Sequence, residues 1–380
     1  MPTRGTLAFL LPRLQGGGGL DRMTANLAAG LRSRGYGVDL VYVNRRHAFP
    51  TALPPGVGTV DLEARRAAGA LPGLVRYLRR TRPRALIGAM PVANLLALGA
   101  RWLARVDTAV VIREHNHLDA LLDPRHDRKA RVLAALMRRW YPSADAVVTV
   151  SAGVADDVAR WTPVPPSRIE VIFNAVLTAS FEERLRRPVE HPWFSDGGPP
   201  VVVTIARLSR QKDLPTLLEA LRLLREERPV RLMVLGDGPR RSEVEAAVRR
   251  LGIEDDVWLP GFVEVPQPYL AHADLFVLSS RYEGFGNVLV EALAAGLPVV
   301  ATDCPHGPRE VLRDGELGRL VAVGDAAALA RSMGEALDAG PPTLPADALA
   351  PFDLEHTVGR YAELLERLPT RPRRSGARGA

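Results

Sequence analysis

The chain has 380 residues and 41.3 kDa, 47% of them hydrophobic and 24% charged, which excludes a disordered or fibrous chain and allows two domains of ordinary size. Fifty basic against 43 acidic side chains give a net charge of +7, unevenly spread: residues 1–185 carry 26 basic and 15 acidic, 186–370 carry 20 and 28, and 371–380 carry four arginines and no acid. One cysteine, Cys304, excludes an internal disulfide and a cysteine-built zinc site.

Strand-like and helical patterns alternate from end to end, the signature of parallel sheets made of βαβ units. The fold class is therefore α/β, with two Rossmann-like, doubly wound parallel-sheet domains. The first half opens with a buried strand at 7–11, the glycine run Gly16-Gly17-Gly18-Gly19, and a helix at about 21–34 with Met23, Leu27 and Leu31 on one face. Further strands are predicted at 38–43, 85–89, 109–112, 146–150 and 169–172, with helices near 65–81, 92–104, 126–141 and 152–161. The uncharged stretch 85–100 contains Pro91 and Asn94 and falls short of the roughly 20 residues of a membrane span. The first apolar run is too short for a secretory signal, so a cytoplasmic chain is expected.

Residues 187–200 hold Pro188, Pro192, Gly197, Gly198, Pro199 and Pro200, a composition that reads as an interdomain linker. The pattern restarts with strands at 201–205, 231–235, 257–259, 274–278, 298–301 and 318–321, and helices near 214–227, 240–251, 287–295 and 324–338. The expected domains are thus 1–186 and 201–350. An amphipathic helix at 351–368, with Val358, Tyr361, Leu364 and Leu365 on one face, is expected to pack back towards the first domain. A disordered basic tail is expected at 369–380.

Two segments carry chemistry by residue type alone. The glycine run follows a buried strand and opens a helix, so its amides can approach a phosphate or sugar, Gly18 among them; it is not a clean G-x-G-x-x-G, and a plain surface loop stays open as the alternative. More informative is Ser280-Arg281-Tyr282-Glu283-Gly284-Phe285-Gly286-Asn287-Val288-Leu289-Val290-Glu291. A glycine-rich turn between strand and helix points several N–H groups towards one place, where they can hold a diphosphate, and two carboxylates eight residues apart can receive sugar hydroxyls. The competing reading makes Glu283 a helix cap and Glu291 a solvated side chain. No D-x-D pair signals a metal-bound diphosphate, so no metal and no cofactor is expected.

With Glu283 and Glu291 as an E-x7-E pair, the sequence resembles the retaining, nucleotide-sugar-dependent glycosyltransferases of family 4, whose fold is called GT-B. Other segments share the likeness: Gly17-Gly18-Gly19-Leu20-Asp21-Arg22, Ile172-Phe173-Asn174-Ala175-Val176, Ile205-Ala206-Arg207-Leu208 with Gln211-Lys212-Asp213, and Leu235-Gly236-Asp237-Gly238-Pro239. The resemblance implies an acceptor-binding first domain and a donor-binding second one. It assigns Arg207 and Lys212 to the donor diphosphate, Glu291 to the ribose, Glu283 with the amides of Gly284, Phe285, Gly286 and Asn287 to the transferred sugar, and the backbone at Val263 to the base. It also places a histidine near the reacting centre, for which His115 is preferred over His117. Ala206 and Asp213 depart from the glycines usual in the family. Lys212 is one of two lysines beside 48 arginines, and the likeness uses it as a phosphate-binding point charge.

The expectation is transfer of a hexose or N-acetylhexosamine, UDP-linked, to a lipid-linked or polysaccharide-precursor acceptor of the cell envelope. A small soluble acceptor, or a GT-B epimerase or hydrolase, is the alternative. The basic first half, with Arg125, Arg128, Lys129, Arg131, Arg138 and Arg139 interleaved with Val132, Leu133, Leu136 and Trp140, suggests an anionic membrane surface as partner, peripheral on the inner face of the plasma membrane. Nucleic acid is excluded as a partner, because basic residues are not interleaved with stacking aromatics and the second half is acidic.

Overall fold

In this computed structural model residues 4–11, 19–44, 54–122, 128–195 and 197–369 are described. Gly18, most of the glycine run, Arg125 and the tail from 370 onward lie outside them. The chain divides by its contacts into two units, one up to Ala175 together with residues from Leu354 on, the other Val176–Asp353.

The first unit runs β1 (Thr6–Leu11), α1 (Gly19–Ser33), β2 (Gly37–Tyr42), β3 (Gly58–Asp61), α2 (Leu71–Thr81), β4 (Ala85–Ala89), α3 (Pro91–Ala104), β5 (Ala109–Glu114), α4 (Leu118–Leu122), α5 (Arg128–Trp140), β6 (Ala146–Thr149), α6 (Ala152–Trp161) and β7 (Ile169–Val171). Its seven strands are all parallel, in the order β3-β2-β1-β4-β5-β6-β7. The strand order reverses at β1 and β4, where a doubly wound sheet opens its crevice. Strands β1, β4 and β5 bury almost every residue because helices cover both faces.

The second unit runs α7 (Ala179–Leu185), β8 (Val201–Ile205), α8 (Leu214–Glu227), β9 (Arg231–Leu235), α9 (Arg241–Leu251), β10 (Val257–Gly261), α10 (Gln267–His272), β11 (Leu275–Leu278), α11 (Asn287–Ala294), β12 (Val299–Thr302), α12 (Pro308–Val311), β13 (Arg319–Val321) and α13 (Ala326–Ala339). Its parallel sheet has the order β10-β9-β8-β11-β12-β13, reversing at β8 and β11. The last helix, α14 (Leu354–Arg367), belongs to the first unit, where Val358, Tyr361, Leu364 and Leu365 share a core with Leu27 and Leu31 of α1.

The division of the chain differs from the sequence reading, which put it at 186–187 with a linker at 187–200. Residues 176–195 pack within the second unit. Val176 and Leu177 donate their N–H groups to Phe352 O at 3.0 and 3.1 Å. His191 sets its ring 4.4 Å from Trp258, and Phe194 lies 5.4 Å from His272. Proline and glycine forbade a long helix or strand there, but the rings between them still anchor the segment. The short elements β3, α4, α7, α10 and α12 also escaped the periodicity: β3, for example, alternates half-buried and exposed residues at a sheet edge.

One buried carboxyl stands out in the first core. Glu114, fully enclosed at the end of β5, accepts hydrogen bonds at Oε1 from Tyr141 Oη and from Asn94 Nδ2, the latter at 2.7 Å. Burial pushes its pKa up to about 7, against the lowering effect of those two donors. The folded chain therefore holds a proton that the unfolded chain has already released, and stability declines as pH rises from the ordinary carboxylate range through about 7. Urea unfolding at pH 5 and pH 8 should show the parent losing on the order of 3 kcal/mol more than Glu114→Gln over that interval. Equal pH dependence in the two proteins would contradict the buried neutral acid.

Candidate functional site

In the second unit the reversal at β8 and β11 brings together two loops that are distant in sequence. The loop after β8 carries Arg207, Gln211, Lys212 and Asp213; the loop after β11 carries Ser280, Arg281, Glu283 and the glycine turn that leads into α11. Their ends are tied by backbone and side-chain bonds. Arg281 N donates to Gln211 O at 2.7 Å, Ser279 Oγ to Lys212 O at 2.8 Å, and Gln211 Nε2 to Tyr282 O at 3.0 Å.

At the join, Lys212 Nζ lies 2.5 Å from Glu283 Oε1. Ser280 Oγ donates to the same oxygen at 2.6 Å, and Gln211 Nε2 is 3.5 Å from Oε2. Glu283 is 6% exposed, so the carboxylate is enclosed with its charge balanced and its lone pairs engaged, the condition under which a buried ion pair is tolerable. The sequence reading assigned Lys212 and Glu283 to different parts of the donor; the structure makes them direct partners. Ser280 and Gln211 were not singled out, because an isolated serine or glutamine has no periodicity or spacing to mark it.

The loop after β12 closes the turn from a third side. Glu283 N donates to Pro305 O at 3.1 Å. Gly307, at φ +82°, packs so tightly that a Cβ there would sit 2.0 Å from Phe285 O. Gly286 enters α11 at φ +91° as its N-cap. Phe285 turns inward, buried against Phe352 with ring centres 5.6 Å apart, so of the four turn residues it offers a ligand only its backbone. Cys304, also buried here, has its thiol pushed up to about 12, chiefly by burial and next by the Glu283 charge, which keeps it protonated and unreactive.

Asp213 explains one departure from the family pattern. It sits in the left-handed region at φ 44°, where glycine is the usual residue, and its carboxylate accepts from Thr216 Oγ1 at 2.9 Å and pairs with Arg281 at 3.2 Å; a short polar side chain tolerates that conformation better than most. Arg207 is exposed on the same loop. Glu291 is half-buried on α11, and Val263 is half-buried just beyond β10. Neither Arg207 nor Glu291 bonds the Lys212–Glu283 pair among the described residues.

In the first unit His115 follows β5. It is half-buried with its Nε2 enclosed and without a hydrogen-bond partner among the described residues. Burial, then the neighbouring Arg113 charge, holds the ring well below the usual imidazole range, so it is neutral at pH 7. His117 has a local duty instead, accepting from Ala120 N at 2.9 Å at the start of α4.

Comparison with known proteins finds a family match in each unit. Residues 17–180 match the family model described as Glycosyltransferase Family 4, and residues 199–339 match Glycosyl transferases group 1. The chain is 30% identical over 60% of its length to the Campylobacter jejuni N-acetylgalactosamine-N,N'-diacetylbacillosaminyl-diphospho-undecaprenol 4-alpha-N-acetylgalactosaminyltransferase. It is 34% identical over 51% of its length to the Rhizobium meliloti lipopolysaccharide core biosynthesis glycosyltransferase LpsE. These matches span 60% and 54% of the two relatives. The structure of Anabaena Alr3699/HepE in complex with UDP and glucose superposes with a TM-score of 0.71 at 21% identity, covering 95% of this chain and 99% of that one, a likeness of fold. With two matching family models that lie one in each half, and the two-Rossmann architecture on the page, the chain belongs to the family 4 glycosyltransferases of the GT-B fold.

Proposed function

We propose that the protein is a retaining glycosyltransferase that moves a hexose or N-acetylhexosamine from a UDP-linked donor to a hydroxyl of a lipid-linked or polysaccharide-precursor acceptor in cell-envelope glycan assembly. The observation that carries this reading is the Lys212–Glu283 pair fixed at 2.5 Å beside the glycine turn into α11. A leaving nucleoside diphosphate gains negative charge as the glycosidic bond breaks. Lys212, held by Glu283, with Arg207 and the amides at the start of α11, supplies positive charge that favours that state over the ground state. Charge neutralisation is thus assigned to the chain's own residues, with no metal.

Glu283, held by Lys212 and Ser280, orients the transferred sugar, and Glu291 takes the ribose hydroxyls. The backbone at Val263 faces the base. His115, neutral on the acceptor unit, can hydrogen-bond at the reacting centre without placing a second cation there. Retention follows if the acceptor attacks from the face the diphosphate leaves and the departing phosphate takes its proton. The solved Anabaena protein held UDP and glucose, and the Campylobacter relative's name specifies a diphospho-undecaprenol acceptor; both support a sugar nucleotide and a lipid-linked glycan.

A lipid-linked acceptor needs the enzyme at a surface, and no helix among the described residues is long and apolar enough to cross a membrane. The reading gives that task to the outer faces of α3 and α5. The sequence suggested one apolar stripe on α5, but Leu133 turns towards the core, while Val132 and Leu136 stay exposed and Trp102 and Leu103 of α3 are exposed with them. Trp102 is 68% and Val132 60% exposed. Arg128, Arg131, Arg138 and Arg139 are exposed on α5 and Arg105 just past the end of α3, the combination of apolar and basic groups that an anionic leaflet attracts.

Two measurements test this reading. Incubation with a panel of sugar nucleotides and envelope-glycan acceptors should release UDP and give a product with the donor's anomeric configuration by NMR, and Glu291→Ala should weaken donor binding by about tenfold or more. An inverted product, or a Glu291→Ala variant that binds donor like the parent, would overturn the assignments. In vesicle co-sedimentation the parent should bind membranes containing anionic lipid, lose binding at high salt, and lose it again in Trp102→Ala/Val132→Asp; equal recovery on neutral vesicles would remove the membrane role.

A further inference from the structure

We propose that Arg113, next to His115 in the first unit, forms a seat for an anionic group, a phosphate or a carboxylate, carried by the acceptor. The inference rests on the glycosyl-transfer reading above and names the class of acceptor it takes.

Arg113 is 2% exposed, near the end of β5. Its Nη2 donates to Asn174 Oδ1 at 3.0 Å, but Nε and Nη1 are enclosed and have no hydrogen-bond partner among the described residues. The guanidinium lies 5.6 Å from the centre of the Tyr361 ring, whose hydroxyl is also enclosed and unpartnered. No carboxylate neutralises it among the described residues. Glu114, the next residue, engages Tyr141 and Asn94, on the opposite side of the strand by the alternation of side chains. Glu170 is taken by Arg360 at 3.2 Å and Arg367 at 2.7 Å.

An enclosed guanidinium with no countercharge is costly, since one hydrogen bond to Asn174 and the Tyr361 ring replace only part of its lost hydration. Burial lowers its pKa, yet arginine remains the side chain least able to shed its proton. Buried polar atoms are satisfied in the great majority of cases, and the exceptions concentrate where a ligand completes the set. Several of the exceptions gather here: Arg113 Nε and Nη1 and the hydroxyl of the Tyr361 ring beside it, with His115, whose Nε2 is another, close enough to feel the Arg113 charge. Arg113 and Tyr361 are themselves enclosed, and half-buried His115 is the member of the group with exposed surface, beyond the end of β5. The unused N–H groups on Nε and Nη1 of a fixed cation select a phosphate or carboxylate over a neutral hydroxyl.

The test uses the full chain saturated with UDP, so that Arg207 and Lys212 are occupied, and three matched probes: glycerol 1-phosphate, glycerate and glycerol. By titration calorimetry the parent should bind at least one of the two anions and not glycerol, and which anion binds distinguishes a phosphate from a carboxylate acceptor. Arg113→Gln should weaken that binding by about tenfold or more, with Arg113→Lys in between. Equal binding by the parent and Arg113→Gln, or no binding of either anion by the parent, overturns the proposal. Should Arg113→Gln not fold, the Arg113 Nε–H resonance of the parent decides: it shifts on addition of the anion if the proposal holds and stays in place if it does not. Failure of UDP to bind would count against the donor site alone, because the anion comparison can be made without it.

Discussion

The second unit depends on one topological fact, the reversal of strand order at β8 and β11. Successive parallel strands place their loops side by side only where the winding changes direction, and there the two loops leave to opposite faces of the sheet and open a crevice. That reversal brings Lys212 and Glu283, 71 residues apart, within 2.5 Å. A buried carboxylate is tolerated when its charge and lone pairs are engaged; Lys212, Ser280 and Gln211 engage that of Glu283, and the loop after β12 accepts its backbone N–H. The result is a cation and a carboxylate whose positions are set before any ligand arrives, which is what stabilisation of a developing charge requires.

The first unit repeats the topology with different polar chemistry. Adjacent residues at the end of β5 meet opposite fates. Glu114 is buried among hydroxyl and amide donors and takes up a proton, so it costs no unpaired charge. Arg113 cannot do the same and stays charged without a carboxylate among the described residues. A single strand thus holds one ionisable group that folding has neutralised and one that it has not, and the second is where a ligand has something to offer.

Much of this was legible in the sequence, for physical reasons. Strands buried on both faces read as short apolar runs, as at 7–11, 85–89 and 201–205, and the turn from Glu283 to Asn287 announced itself through glycines between a strand and a helix. The unit boundary was not legible, because proline and glycine at 187–200 report the absence of regular structure and not the absence of packing; His191, Trp193 and Phe194 anchor that segment through ring contacts that have no sequence period. Ser280 and Gln211 were hidden because their role exists only once two loops meet. Arg113 carried no signal, since nothing in a sequence shows that an arginine is buried without a carboxylate. Asp213 looked like a departure from pattern, and its left-handed backbone shows the reason glycine is usual there.

The central claim is that Lys212, aligned by Glu283, is a phosphate-binding cation at the strand reversal. The only other lysine, Lys129, lies on α5 in the other unit and serves as an internal control. Titrating UDP while following its phosphorus resonances should give a saturable shift with the parent and with Lys129→Gln, and binding weakened about tenfold or more with Lys212→Gln. If Lys212→Gln binds UDP as the parent does, with the same shift, the account of the site is wrong.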